Sequence, residues 1–194
     1  MGNDRRMAVS SFMVPLGSPA PDFALPALGG GQVKLSELTQ PALLVAFVCN
    51  HCPYVRHIES RLASTIAEYA GRGLDAVGIA SNDTEAYPDD AEAGLAAQAE
   101  RAGFTFPYLM DGDQQVALAY RAACTPDLFL YDAQHRLAYR GAFDTSRPGS
   151  AVPVTGELLR SAVDRVLRGE PVPEPHQPSL GCGLKWKPGN EPAG

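Results

Sequence analysis

Apolar residues along this chain fall into two kinds of pattern, unbroken runs and runs with a helical period, and the two kinds alternate. From Pro41 the chain reads PALLVAFV and stops at Cys49, the continuous apolar run that a strand covered on both faces needs. After Pro53, Val55, Ile58, Leu62, Ile66 and Tyr69 recur at steps of three and four until Gly71 and Gly73, which predicts an amphipathic helix. Leu74 to Ala80, LDAVGIA, reads as a second buried strand. Strand, helix, strand is the unit that builds a parallel sheet through a right-handed crossover, so the class is α/β.

The remaining elements follow from caps and breakers. Asp89 with Glu92 predicts a capping box ahead of AGLAAQAERAG, a helix closed by Gly103. A short helix over QQVALAYRAA follows Asp113. DLFLYD and RLAYRGAF, separated by the polar residues Ala133 to His135, read as an antiparallel hairpin. Thr155 is placed to cap a last helix with the apolar face Leu158, Leu159, Ala162, Val163, Val166 and Leu167, ending at Gly169. EPVPEPHQP, residues 170–178, is too proline-rich for a helix or inner strand and reads as an extended strap. It leads to SLGCGLKWK, which holds Cys182 and the only tryptophan, Trp186.

Composition narrows the function. With 194 residues, 45% of them hydrophobic, the chain has the makings of one domain with a real core. The formal net charge is −6 and no run of Lys or Arg offsets it, so no nucleic-acid or anionic-membrane partner is expected. No apolar stretch approaches the ~20 residues of a bilayer span. Arg5 and Arg6 are followed by Ser10, Ser11 and Pro15 before any signal-peptide core develops, and a cytoplasmic location is the expectation. Four cysteines are too few for a disulfide scaffold, so their spacing must carry the meaning.

Cys49-Asn50-His51-Cys52 falls at the junction of the buried strand and its helix, the sheet edge where α/β sites form. Unpaired amides and positive partial charge in the first helical turn favour a thiolate over a thiol there. His51, when protonated, would add positive charge. Cys-x-x-Cys spacing lets the second thiol reach a mixed disulfide and expel the substrate. The same spacing is half of a zinc site, for which only the isolated Cys124 and Cys182 remain as further ligands. His57 and His135 read as surface residues without a role. No cofactor and no metal are expected.

With these residues in view, the chain resembles the thioredoxin-fold redoxins of the alkyl-hydroperoxide-reductase and thiol-specific-antioxidant branch, specifically peroxiredoxin-like members that carry a CxxC. The resemblance covers about Ala20 to Leu167. APDFALPALGGGQVKLSEL is similar to the branch's opening hairpin, and LLVAFVCNHCP to its active-site segment. Cys124-Thr125-Pro126-Asp127 matches the place where the fold keeps a cis-proline facing the cysteines. The resemblance implies a thioredoxin-like fold: a central mixed sheet flanked by helices, an N-terminal hairpin and an extended C-terminal tail. The corresponding division is an extension over 1–19, the redoxin domain over 20–169 and the tail over 170–194.

The resemblance also bears on which sulfur attacks. In peroxiredoxins the attacking cysteine lies three residues after a threonine and is often followed by proline, and Cys52-Pro53 fits. The physical argument agrees, because Pro53 suits the first helical position and leaves Cys52 as N-cap. Cys49 then stands at the threonine position as the resolving thiol, and Thr125-Pro126 presents backbone for substrate docking. No arginine adjoins Pro126, Arg121 being out of register. Val48 stands near the usual thioredoxin tryptophan position, and no buried acid is matched.

The expected activity is that of a thiol-disulfide oxidoreductase, taking a protein or small-molecule disulfide as substrate and a thiol as reductant. One alternative is a peroxide reductase, with Cys52 oxidised to a sulfenic acid and Cys49 condensing with it. Another is a metal or iron-sulfur module using Cys49, Cys52, Cys124 and Cys182. The stretch from Gly169 to Cys182 spans ~40 Å if extended at ~3.3 Å per residue, against a radius of gyration of ~16 Å for a chain of this length. Cys182 therefore has the reach to meet the CNHC pocket or Cys124 and act as an accessory thiol. The other outcome is that SLGCGLKWK packs on the surface with Cys182 inert.

Overall fold

The computed structural model describes residues 8–192; Arg5 and Arg6 lie outside the described residues. In chain order the elements are β1 (Ala8–Ser10), β2 (Ala24–Pro26), β3 (Gln32–Lys34), β4 (Ala42–Phe47), α1 (Pro53–Ala70), β5 (Leu74–Ala80) and α2 (Glu92–Ala102). They continue with β6 (Tyr108–Met110), α3 (Gln115–Tyr120), β7 (Cys124–Thr125), β8 (Asp127–Asp132), β9 (Leu137–Arg140), α4 (Glu157–Leu167) and β10 (Leu180–Gly183).

β4 is the middle of a five-stranded sheet of order β6-β5-β4-β8-β9. It pairs in parallel with β5 and antiparallel with β8, so the sheet is mixed. All six residues of β4 are buried because both of its faces are covered, and its period of two divides the core. Ala42, Leu44 and Ala46 pack with Val55, Ile58, Leu62 and Ile66 of α1 and Leu159 and Val163 of α4. Leu43, Val45 and Phe47 pack on the other side with Phe23, Leu25, Tyr120 and Phe129. That second face is closed by the hairpin β2–β3 and by α3, where the rings of Phe47, Tyr120 and Phe129 meet edge-on or tilted.

Two caps differ from expectation. α2 starts after Ala91 without a capping side chain, because Asp89 and Asp90 belong to a 3-10 turn, Pro88–Asp90, that turns the Asp90 carboxylate inward. α4 starts after Gly156, whose φ of +71° suits glycine, and Thr155 lies one residue too early to be its N-cap. Asp144 does the capping from a distance, its Oδ2 accepting the Thr155 and Gly156 amides at 2.8 Å each. The β8–β9 hairpin forms, with a register shift between Leu130 and Tyr131.

Residues 170–178 form neither helix nor strand, as their proline content predicts, and the tail beyond them is structured. β10 is the middle strand of an antiparallel sheet β1-β10-β7, with Cys182 opposite both Ala8 and Thr125. Beyond it, the Lys185 amide donates to Asn82 Oδ1 at 2.9 Å. The buried Gln114 side chain donates to the Lys185 carbonyl at 2.9 Å and accepts from the Lys187 amide at 2.8 Å. Three short strands from the start, middle and end of the chain are thereby joined beside the sheet edge that carries CNHC.

The turn ahead of α2 tolerates no extra bulk. A Cβ on Gly94 would lie 2.0 Å from the Asp89 carbonyl oxygen. Helix propensity alone favours Gly94→Ala by about 1 kcal/mol. The clash reverses the sign, and Gly94→Ala is expected to destabilise by about 1–3 kcal/mol, as overpacking does. Urea unfolding of the two proteins checks this, and a variant midpoint at or above wild type would contradict it.

Candidate active site

Cys49 follows β4 by two residues, and Cys52 is the N-cap of α1, with extended backbone at φ −73° and ψ 122° and Pro53 in the first helical turn. The four-residue turn between strand and helix is held from outside. Asp90 Oδ1 accepts the Asn50 and His51 amides at 2.8 and 3.1 Å, and its Oδ2 meets the His51 ring Nδ1 and the Asn82 amide. Burial raises the Asp90 carboxyl, but the His51 ring and Asn82 more than offset it and hold it below the ordinary carboxylate range. The His51 ring also stacks on Tyr87 with centroids 5.3 Å apart. His51 thus faces Asp90, and a ring nitrogen of it also lies within 4.8 Å of Cys49 Sγ.

Cys52 Sγ is 2.9 Å from Cys182 Sγ and 3.1 Å from the Thr125 carbonyl oxygen. Cys49 Sγ is 3.2 Å from Thr125 Oγ1, and the Cys49 carbonyl accepts from Gln98 at 3.0 Å. All four cysteines are reduced and buried. While protonated, Cys52 has an acceptor in the Thr125 carbonyl. As a thiolate it is stabilised by the Cys182 and Cys49 thiols, in that order, and by the Val55 amide, which together bring it well below the ordinary thiol range against the cost of burial. Cys49 is pushed well up by its hydrogen bond to Cys52, by burial and by the Asp90 charge. Of the two thiols, the surroundings therefore favour ionisation of Cys52 over that of Cys49.

The Thr125–Pro126 bond is cis. The Thr125 backbone edge expected to dock a substrate is already paired with Cys182 of β10. Cys124 Sγ meets the Pro126 carbonyl at 3.6 Å and is pushed up by burial, then by Asp127 and Cys52. Arg121 is exposed and lies over the Phe12 ring, 5.6 Å from its centroid, so it takes no part in the site. His57 is half-buried rather than a solvated residue: its Nε2 meets Ser146 Oγ at 2.9 Å, and that hydroxyl donates to Asp144 at 2.6 Å. Tyr54, His57, Pro126, Arg147 and Leu180 line a pocket that reaches the cis-proline. His135, also half-buried, meets the Leu38 carbonyl far from the site.

The four cysteines do not converge as one metal-ligand set. Among the described residues, the group whose ligand atoms lie within 4.8 Å of one another is Cys49, His51 and Asp90. Besides Asp90, the buried acids Glu59 and Asp127 were missed from the sequence. Glu59 on α1 pairs with Arg101 at 2.8 Å and with Gln98, whose amide reaches Cys49. Asp127, fully buried directly after Pro126, accepts the Ala123 amide at 3.0 Å. An aspartate opening the apolar strand DLFLYD was the available signal for the second.

The AhpC/TSA family model matches residues 16–140. The chain belongs to the AhpC/TSA family. A crystal structure of a hypothetical protein from Sinorhizobium meliloti 1021 is 49% identical, with a TM-score of 0.91 over 93% of this chain and 99% of that one. The thiol-disulfide oxidoreductase ResA of Geobacillus kaustophilus is 27% identical over 119 residues, which span 61% of this chain and 64% of that relative's length. The thioredoxin domain of a thiol-disulfide oxidoreductase from Bacteroides vulgatus, 18% identical, superimposes with a TM-score of 0.62 over 79% of this chain and 99% of that one. The fold is thioredoxin-like. Within this AhpC/TSA member, the strand-to-helix turn carrying Cys49 and Cys52 lies inside the matched segment, and Cys182 lies outside it.

Burial pushes the Asp127 carboxyl up to about 7, with the Ala123 amide only partly compensating. The ordinary value is about 3.9, so between the two the folded state holds a proton that the unfolded state has released. Stability is then fully present below about pH 4 and declines as pH rises toward 7, by roughly 4 kcal/mol as an upper bound. Asp127→Asn is expected to remove that part of the decline. Denaturant unfolding of both proteins from pH 4 to 8 reads the difference, and parallel curves would contradict it.

Proposed function

We propose that this chain is a thiol-disulfide oxidoreductase in which Cys52 attacks and Cys49 resolves. The observation that carries the reading is the Cys52 sulfur at the N-terminus of α1, within reach of two other thiols and held below the ordinary thiol range. The Cys52 thiolate attacks one sulfur of a substrate disulfide and expels the other as a thiolate, leaving a mixed disulfide. Cys49, kept protonated until then, gives its proton to the departing thiolate. Its sulfur then attacks Cys52 Sγ and expels the second half of the substrate. Two electrons have passed from the protein to the substrate, and an external thiol reductant restores the pair.

A specific observation favours small substrates: Cys52 has 0% and Cys49 1% of its surface exposed. The same burial supports a second reading, peroxide reduction. There the Cys52 thiolate takes one peroxide oxygen as a sulfenic acid, the departing hydroxide or alkoxide takes a proton from solvent and leaves as water or an alcohol, and Cys49 condenses with the sulfenic acid, releasing water. Against it, Cys49 holds the threonine position and Arg121 is turned to Phe12.

Turnover of a small model disulfide is expected from wild type and lost, by at least 100-fold, in Cys52→Ser. Replacing Cys49 and Cys182 together by Ser, which leaves Cys52 without either neighbouring thiol, is expected to trap a mixed disulfide on Cys52 in place of rapid turnover. The rate of Cys52 alkylation by iodoacetamide is expected to hold its level well below the pH at which ordinary thiols ionise, about 8.5. Full turnover by Cys52→Ser would defeat the assignment of the nucleophile. Stopped-flow mixing with hydrogen peroxide separates the two readings, a fast saturating oxidation of Cys52 favouring the peroxidase.

A further inference from the structure

One of the thiols in contact with Cys52 comes from the far end of the chain. Cys182 lies 130 residues away in sequence, yet the two sulfurs are 2.9 Å apart, and neither is exposed by more than 3%. A disulfide needs about 2.05 Å, so closure requires the sulfurs to approach by only about 0.9 Å. The contact is built by the backbone. β10 pairs with β7 so that Cys182 is opposite Thr125, directly before Pro126. Gly181 permits that approach, since a Cβ there would lie 2.0 Å from the Thr125 carbonyl oxygen and 3.1 Å from the Pro126 nitrogen. On both sides of Cys182 the strand is tied down, by reciprocal bonds between Ser11 and Ser179 and by Asn82 holding the Lys185 amide. The edge that would align an incoming disulfide strand thus presents one of the chain's own cysteines to Cys52.

We propose that Cys182 is a third redox thiol and that β10 acts as a built-in substrate strand, so that oxidised protein holds a Cys52–Cys182 disulfide. This rests on the reading of Cys52 as the attacking thiolate. The step balances as follows. Substrate disulfide and Cys52 thiolate give the Cys52 mixed disulfide and one free substrate thiolate, which takes the Cys182 proton. The Cys182 thiolate attacks Cys52 Sγ, the new sulfur-sulfur bond forms, and the second substrate thiolate leaves. Cys182 and Cys52 are oxidised together, the substrate disulfide is reduced by two electrons, and Cys49 stays a thiol. A Cys49–Cys52 disulfide, where it forms first, is passed on by the same attack at Cys52.

The test oxidises full-length protein with oxidised glutathione, quenches it in acid, alkylates it and maps the disulfides by mass spectrometry. A Cys52–Cys182 crosslink is expected in wild type and in Cys49→Ser; in Cys182→Ser it is replaced by Cys49–Cys52, and in the Cys49→Ser, Cys182→Ser double variant glutathione on Cys52 accumulates at least tenfold over wild type at matched times. Gly181→Ala keeps the thiol but displaces the strand, and is expected to slow formation of the crosslink at least tenfold. A wild-type map with Cys49–Cys52 alone and Cys182 alkylated overturns this inference while leaving the proposed function intact. No oxidation of Cys52 in any variant overturns both.

Discussion

The site depends on one requirement, that the backbone edge of β7 find a partner. β7 is only two residues long and both are buried, and buried N–H and C=O groups without partners are costly. β10 supplies the pairing, and β1 covers β10 on its other side. Because that pairing is antiparallel with Cys182 opposite Thr125, satisfying the backbone also delivers a sulfur to Cys52. The same strand removes the thiols from bulk water. Closure, burial and the third thiol are therefore consequences of one strand pairing.

A second constraint sets the other side of the site. A strand-to-helix turn exposes several amides at once, and Asn50 and His51 have no secondary-structure partner for theirs. Asp90 takes both with one carboxylate oxygen and the His51 ring with the other. Its negative charge adds to the hydrogen bond with Cys52 and to burial in raising the Cys49 thiol. Asn82 bonds to Asp90 and also to the Lys185 amide of the tail, so the turn and the tail share one polar network.

Much of this was legible in the sequence because it follows from local pattern. The apolar run of β4, the period of α1 and Pro53 after Cys52 fix the central strand, the helix and the N-cap with no knowledge of the rest. The β2–β3 hairpin and the cis bond at Pro126 were legible only through resemblance. What could not be read depends on partners distant in sequence. Asp89 and Glu92 have capping-box spacing, but Asp90 is drawn inward by amides about forty positions earlier, so the helix starts uncapped. β1, β7 and β10 are two to four residues long, too short for periodicity to register, and exist because they pair with one another. Chain length showed that Cys182 has the reach to meet CNHC, but only the β10 register brings its sulfur to Cys52.

Burial and reactivity pull in opposite directions at Cys52, and the arrangement of sulfurs is what reconciles them. Moving a thiolate out of water is unfavourable, and a buried thiol without donors stays protonated, as Cys124 does here. Cys52 is equally buried, yet it has two thiols and an amide directed at its sulfur. The Cys182 thiol lowers that cost more than any other donor, so the strand that closes the site also sustains the charge inside it. A bulky disulfide that displaced β10 to reach Cys52 would remove the main support for the thiolate it needs. Closure of the site and stabilisation of the Cys52 thiolate are therefore coupled through a single strand.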